Sequence, residues 1–525
     1  MALNGCLQLH KELDSHAKIS ISSSNHDWLA LADLILNLPG LLDFFFFFPT
    51  EFPECLLDRI HDFRSECRLH INLFLRNLAT ASTDSYEFRL ASSPCLFSIK
   101  ATHIHDHNPD NDKSSSYYED LVTLMTSGLA PNLRAVTLVY HDYYSASLYS
   151  YVPPPWKGFG ENTRTHFEKS RGNLKFLRLE HHFQITEKLL DHWSARTDFS
   201  KLQALELEAQ LKPDTARYLA TEFHFPCLNT VVLGRLRREA ENSIDDHSEA
   251  VNKLLSYLPP LKSLTLDQWY PEISIEAMAI RHGPSLLELK FLNYPGEALT
   301  KDNLEALGQH CILLQDVTLN LRRSQGDDKE ASLYKALGSV RNLQFITLDL
   351  HVDSNFSPND NEDEEDGTVW NPAFDDEFDR KVPPELLDGT DQCEPCNGAM
   401  REQLINCAID AKLARSIFDA ISAGKPHESL PLQELNIMFT TAGKFGSVCC
   451  SRDFLSVLFH LCHPWRITPY ETEMLEHCEE RPKMFQPPPD VLESYLEAIW
   501  RRIWPEKISE DWKSDWRSLP ISKVT

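Results

Sequence analysis

The chain has 525 residues, 42% hydrophobic and 10% aromatic, with 51 Lys and Arg against 78 Asp and Glu, a formal charge of −27. That apolar content suffices for a packed core, while the acidity excludes a nucleic-acid binder held by bulk charge, since such a surface repels phosphate. No run of ~18 uninterrupted apolar residues occurs, so no membrane-spanning helix is expected; the nearest candidate, Leu31 to Phe48, is broken by Asp33, Asn37, Pro39 and Asp43.

Residues 1–37 read as a helical or irregular lead-in, without the basic region and apolar run of a secretory signal. From Leu38 to residue 352 a hexad, L-x-x-L-x-L with conservative swaps, recurs. Weak copies come first, at Leu41-Phe44-Phe46, at Leu69-His70-Ile71 and at Leu96 with Ile99. Clear copies then start at Leu133, Leu174, Leu202, Leu228, Leu261, Leu286, Leu314 and Leu343, and a ninth starts at Leu432. Their start-to-start spacings are 41, 28, 26, 33, 25, 28, 29 and 89, most of them near the ~20–29 residues of a leucine-rich repeat. Alternation over six residues suits a short strand with one face buried. One such unit cannot close a core, but stacked units share one. The predicted fold class is therefore α/β: a leucine-rich-repeat solenoid with parallel strands on a concave face and helices on a convex face. Pro131-Asn132, Gly172-Asn173, Pro259-Pro260 and Arg341-Asn342 precede hexads and predict the turns into the strands. The segment Leu299 to Cys311 predicts a convex helix, with Thr300 or Asp302 as its cap and Leu304, Leu307 and Cys311 on one face.

The hexad leucines are core, so function must lie between them. Positions three, five and seven of each hexad point to the concave face. The candidate partner-binding residues there are Arg178, Glu180, Glu206, Glu208, Asp267, Glu288, Lys290, Asp316, Asn320 and Asp349. This acidic-leaning row reads either as a docking strip for a partner with basic side chains or as ordinary solvated polar positions.

Residues 353–397 interrupt the repeats. Between Asp353 and Glu394 stand 15 acidic residues against Arg380 and Lys381, nearly half of the net charge. Such a composition predicts a disordered acidic loop, which serves either as an arm for a basic partner or a cation or as a solubilising insertion. The block 398–450 holds the final helix, Met400 to Ile421, and the Leu432 repeat. Residues 451–525 carry five of the ten tryptophans and the Pro487-Pro488-Pro489 run. They predict a C-terminal cap, with a helix from Asp490 to Ile503 ended by Pro505. Cys393-x-x-Cys396 lacks a second pair for zinc. The His103-x-His105-x-His107 run leads into a loop-forming Asn108-Pro109-Asp110. No phosphate-binding glycine loop or nucleophile elbow is present. No catalytic residue, metal site or cofactor is expected, and no enzyme is nominated. Thirteen scattered cysteines, an odd number, predict free thiols in a reducing cytoplasmic or nuclear compartment.

The Thr-x-Asp start, Leu-x-x-Leu helix and cysteine at 300–311 resemble the cysteine-containing repeat subtype of F-box proteins. From about Leu38 onward the chain resembles fungal F-box/leucine-rich-repeat proteins. The likeness rests on Leu38-Pro39-Gly40-Leu41-Leu42-Asp43-Phe44, on Phe52-Pro53 with Leu56-Leu57, and on Cys67-Arg68-Leu69-His70-Ile71. The helix from Leu404-Ile405-Asn406 to Leu413-Ala414-Arg415-Ser416-Ile417 and the Trp-rich tail add to it. The resemblance implies a monomeric substrate-recognition subunit of a cullin-type (SCF) ubiquitin ligase. Its repeats would hold a protein substrate and an F-box would dock a Skp-family adaptor, with no nucleic acid or membrane involved. An F-box itself is not found. Two segments imitate its opening, Phe52 to Ile60 and Pro383-Pro384-Glu385-Leu386-Leu387-Asp388. The alternative is a leucine-rich-repeat scaffold that binds a partner protein through its concave face without ubiquitin.

Overall fold

Two apolar residues placed two apart in an extended chain turn to the same side of a sheet, and every one of the nine hexads forms a strand that uses this parity. The structure is a computed structural model that describes residues 25–48, 50–75, 78–105, 117–142, 156, 158–160, 170–180, 184–234, 244–267, 273–292, 299–352, 377–381, 396–440, 444–445, 448–449, 452–475 and 490–522. It divides into two units, Met1–Leu261 and Lys262–Thr525.

In the first unit, strands β1 (Asp43–Phe46), β2 (Arg68–Leu73), β3 (Leu96–His105), β4 (Ala135–Asp142), β5 (Phe176–Glu180), β6 (Ala204–Leu207) and β7 (Thr230–Leu233) each pair in parallel with the next. The register aligns Phe46, Ile71, Ile99, Val136, Leu177, Leu205 and Val231 in one apolar row, none more than 3% exposed. The three weak copies are thus full members of the stack. Parallel strands need crossovers, and helices supply them. The first crossover helix, Glu54–Phe63, buries Leu56, Leu57 and Ile60. The Phe52–Ile60 stretch that imitates an F-box opening is consumed as this helix, and strand β2 follows it.

In the second unit, β8 (Ser263–Asp267), β9 (Glu288–Leu292), β10 (Asp316–Arg322), β11 (Phe345–His351) and β12 (Glu434–Thr440) pair in parallel. Leu264, Leu289, Val317, Ile346 and Leu435 form their core row, at most 1% exposed. Helices Ile275–His282, Lys301–His310, Asp328–Gly338 and Ala411–Ala423 cross over between them. Thr300 caps the second with a reciprocal capping box to Asn303, and Leu304, Leu307 and Cys311 are buried as expected. Asn342 donates to the Ile312 carbonyl at 2.6 Å, and in the first unit Asn132 donates to the Pro94 carbonyl at 2.8 Å. At these two turns the asparagine therefore also ties its repeat to the one before it.

Three features differ from the expectations. The helix expected over Met400 to Ile421 is two helices, Asn397–Cys407 and Ala411–Ala423. Asp410 caps the second by accepting the Leu413 N–H at 2.8 Å, and this local bond stops the first from continuing. Within the expected loop, Glu377–Arg380 forms a helical turn whose buried Asp379 pairs with Arg401. Residues 353–376 and 382–395 lie outside the described residues, and Pro383–Asp388 with them. The cap is not only helical. Strand β13 (Trp465–Ile467) pairs antiparallel with β12, and β14 (Thr472–Met474) pairs with β13, so a hairpin covers the last parallel strand. Helix Asp490–Ile503 packs on Asn397–Cys407, and Trp500 sits between Trp504 and Trp512 at ring separations of 4.5 and 5.1 Å.

A buried clamp closes the turn after β10. The Arg323 N–H donates to the His351 carbonyl at 3.0 Å, and its Nη1 donates to the Asn406 carbonyl at 3.2 Å. Its Nε meets Glu330 Oε1 at 3.1 Å with both side chains at most 1% exposed. Glu330 also accepts from the Tyr334 hydroxyl and from the N–H groups of Ser324 and Gly326. These bonds offset the cost of burying the pair, although Arg323 Nη2 has no hydrogen-bond partner among the described residues.

Candidate protein-binding face

The strand parity that buries the leucines turns positions three, five and seven to the outer sheet face, opposite the core row. All ten predicted residues belong to strands, or directly follow them, at these positions.

In the first unit, the structure brings Arg178, Glu180, Glu206 and Glu208 together. Arg178 Nη2 lies 2.6 Å from Glu208 Oε2 and 3.1 Å from Glu180 Oε2, and its Nε lies 3.7 Å from Glu206 Oε2. Three carboxylates thus share one guanidinium. The acidic row here is an internal ion network rather than a strip of free charges. Beside it Ala135, Phe176 and Ala204 form a buried apolar row.

In the second unit, position three gives Ser263, Glu288, Asp316, Phe345 and Glu434 across neighbouring strands. Glu288 accepts from Ser263 at 2.8 Å and pairs with Lys290 at 2.5 Å. Glu434 pairs with Arg466 of the hairpin at 2.7 Å and accepts from Asn436 at 2.9 Å. The Asp316 backbone N–H donates to the Leu287 carbonyl at 3.1 Å, while its carboxylate accepts no hydrogen bond and forms no ion pair among the described residues. Burial pushes its carboxyl above the usual range, against the pull of Lys290. At position seven, Asp267 stands on β8, and Asn320 donates to Asp349 at 3.1 Å and meets His351 at 3.2 Å. Burial raises Asp349 as well, opposed by its hydrogen bonds. Asn320 is 4% exposed, and its Oδ1 has no hydrogen-bond partner.

Two large apolar side chains interrupt this polar face, Phe345 at 44% and Met438 at 39% exposure. Phe345, Glu434, Asn436, Met438 and Arg466 are missing from the predicted site. Extending positions three, five and seven to the Leu432 hexad would have found Glu434, Asn436 and Met438. Arg466 stands on a three-residue strand, too short for any alternation signal.

A cavity of about 40 Å³ lies in the first unit between Asp120, Trp156, His192 and Arg196, room for a water or two. No group of three His, Cys, Asp or Glu side chains is placed to hold a metal among the described residues. Cys393 and His107 lie outside those residues. Cys396 is buried at the start of a helix. Among the described residues no helix is long and apolar enough to cross a membrane.

The fold these registers define is an α/β leucine-rich-repeat stack. No protein-family model and no curated protein matches the chain. Among solved structures it is similar to the leucine-rich-repeat-containing protein LegL7 from Legionella pneumophila, at 14% identity and a TM-score of 0.33, over 59% of this chain and 91% of that one. It is also similar to a chain of the Rad7 and Elc1 complex in yeast, at 16% identity and a TM-score of 0.29, over 62% of this chain and 83% of that one. At this level neither likeness bears on what the chain binds. The repeat assignment rests on its own strand registers and crossover helices.

Proposed function

We propose that the chain is a protein-binding repeat protein that holds a substrate for a cullin-type ubiquitin ligase and performs no chemistry of its own. The observation that carries the binding role is the outer sheet face of the second unit, where exposed Phe345 and Met438 stand among carboxylates on adjacent strands. A protein docks on such a broad mixed face through apolar anchors and a polar surround. The ligase role is supported by the resemblance to F-box/leucine-rich-repeat proteins and by the buried cysteines that precede strands, as at Cys67, Cys95 and Cys311. Burial pushes the thiols of Cys67 and Cys311 up to about 11 and about 12, which keeps them unreactive. Free thiols of this kind suit the cytosol or nucleus.

One observation favours the scaffold reading. The Phe52–Ile60 segment, the more N-terminal of the two F-box-like openings, is the first repeat's crossover helix. Under this reading the outer face binds its partner with no ubiquitin transfer. Co-expression with a Skp-family adaptor separates the two. A stoichiometric complex on size exclusion at micromolar concentration is the expected result. Failure to co-elute leaves the scaffold reading.

A further inference from the structure

On the outer face of β10, β11 and β12, Phe345 occupies position three of the middle strand. Asp316 is its register partner on one side and Glu434 on the other. Neighbouring strands lie ~4.8 Å apart, so the ring is flanked by two carboxylates at close range. Nearly half of the Phe345 side chain is in contact with water. The face of an aromatic ring attracts a cation, and adjacent carboxylates strengthen that pull.

The cations already present pair with other carboxylates, one of them Glu434 on one flank of the ring, so the open carboxylate beside Phe345 is Asp316 on the other flank. Lys290 pairs with Glu288, and Arg466 pairs with Glu434. The Asp316 carboxylate has neither a hydrogen bond nor an ion pair among the described residues, although Lys290 attracts it from the neighbouring strand. Four residues along the same strands, the Asn320 amide oxygen is buried without a donor beside Asp349. Met438 adds an exposed apolar contact next to Asp349. The face thus offers an open ring beside a carboxylate that accepts no hydrogen bond, and both are complemented by an N–H-bearing cation.

We propose that this face receives an extended basic segment of a partner protein, whose Arg or Lys side chain lies over the Phe345 ring with its charge on Asp316. Its neighbouring residues run toward Asp349 and Asn320 on one side and cover Met438. This rests on reading the outer face as the binding surface and names the chemistry of the partner. It is independent of whether that partner is ubiquitinated.

The test is fluorescence anisotropy of the full chain with a labelled synthetic peptide of alternating Arg and Ser. About twelve residues, at ~3.3 Å each, cross these strands. The expected result is saturable binding that a Gln-for-Arg peptide does not show. Phe345→Leu keeps an apolar side chain but removes the aromatic face, and it weakens binding about two- to fivefold, while Phe345→Tyr retains it. Asp316→Asn weakens binding by a similar factor, and the double variant by about tenfold. Phe345 is exposed and Asp316 is half-buried, and an unchanged melting temperature shows that the variants fold. The acidic run Asp360–Asp366 also attracts basic peptides, so its Asn/Gln-neutralised variant is measured in parallel. The proposal is overturned if the peptide does not bind, or if Phe345→Leu and Asp316→Asn leave its affinity unchanged. It is equally overturned if neutralising 360–366 alone abolishes binding. Failure of adaptor co-elution alters none of these outcomes.

Discussion

His70 is 2% exposed on β2, its ring stacked on Phe45 at 4.3 Å and tilted against Phe97 at 5.5 Å. Nδ1 lies 2.7 Å from the Ser98 hydroxyl and Nε2 lies 3.0 Å from Asp43 Oδ1. A neutral ring satisfies both contacts: Nε2–H donates to Asp43 and Nδ1 accepts from Ser98. Burial lowers the His70 pKa below 6.5 and Arg68 lowers it further, although Asp43 pulls it up. Burial works to raise Asp43, but hydrogen bonds from Arg68 and His70 prevail and hold it down. A group with a lowered pKa in the native state takes up fewer protons there than in the unfolded chain. The stability carried by neutral His70 is therefore complete above about pH 6.5. It is lost as the pH falls below that value, through the folded pKa. Thermal melts of the wild type between pH 7.5 and 5.5 are expected to fall more steeply than those of His70→Gln. Parallel profiles would show that this ring carries none of the pH dependence.

At the scale of elements, the hairpin β13–β14 covers the last strand of the second unit, and alongside the β12 pairing, Arg466 and Trp465, the side chain of Arg415 ties it to the helical layer. Arg415, on helix Ala411–Ala423, donates to the Thr468 carbonyl at 2.7 Å, to the Glu471 carbonyl at 2.5 Å and to the Thr472 hydroxyl at 3.0 Å. Its guanidinium also lies 5.1 Å from the Phe418 ring centroid. Arg415→Ala is expected to cost about 1–3 kcal/mol and to loosen the hairpin. An uncovered edge strand pairs with other chains, so light scattering should report self-association of the variant. A monomer as stable as the wild type would show that the hairpin needs no such anchor. The parallel strands were legible because each repeats Leu at a fixed spacing with a period of two. Even Leu69-His70-Ile71 carried enough of it to mark β2. The hairpin was not, because three residues cannot display a period. The break at Ala408-Ile409-Asp410 was hidden for another reason. Apolar residues continue at helical spacing across it with no Gly or Pro, and only the Asp410 cap and the use of the Ile409 carbonyl by Trp465 Nε1 at 2.9 Å reveal it. Of the candidate site, the parity of positions was readable. Which charges are already neutralised was not, since the Arg178 network joins residues up to 30 positions apart.

For the whole molecule, the charge of −27 sets a general self-repulsion. Raising ionic strength from ~0.01 to ~0.15 M shortens the screening length from ~30 to ~8 Å. The melting temperature is expected to rise over that range. A fall would mean that ion pairs such as those of Arg178 outweigh the repulsion. The same screening weakens any basic peptide bound on β10–β12, so stability and affinity should move in opposite directions with salt.

The clamp at Arg323 has a consequence for the acidic insertion. The chain departs just after His351 and is back in the helical layer by Asn406, and a single arginine grips the backbone at both places. The ends of the detour are thereby stapled whatever its length. Since the entropy of closing a loop grows only with the logarithm of its length, a change in the number of residues between these two grips is expected to cost the stack little, provided the Asp379–Arg401 pair is kept. The register of β10, β11 and β12 is thereby held independently of how many residues separate His351 from Asn406.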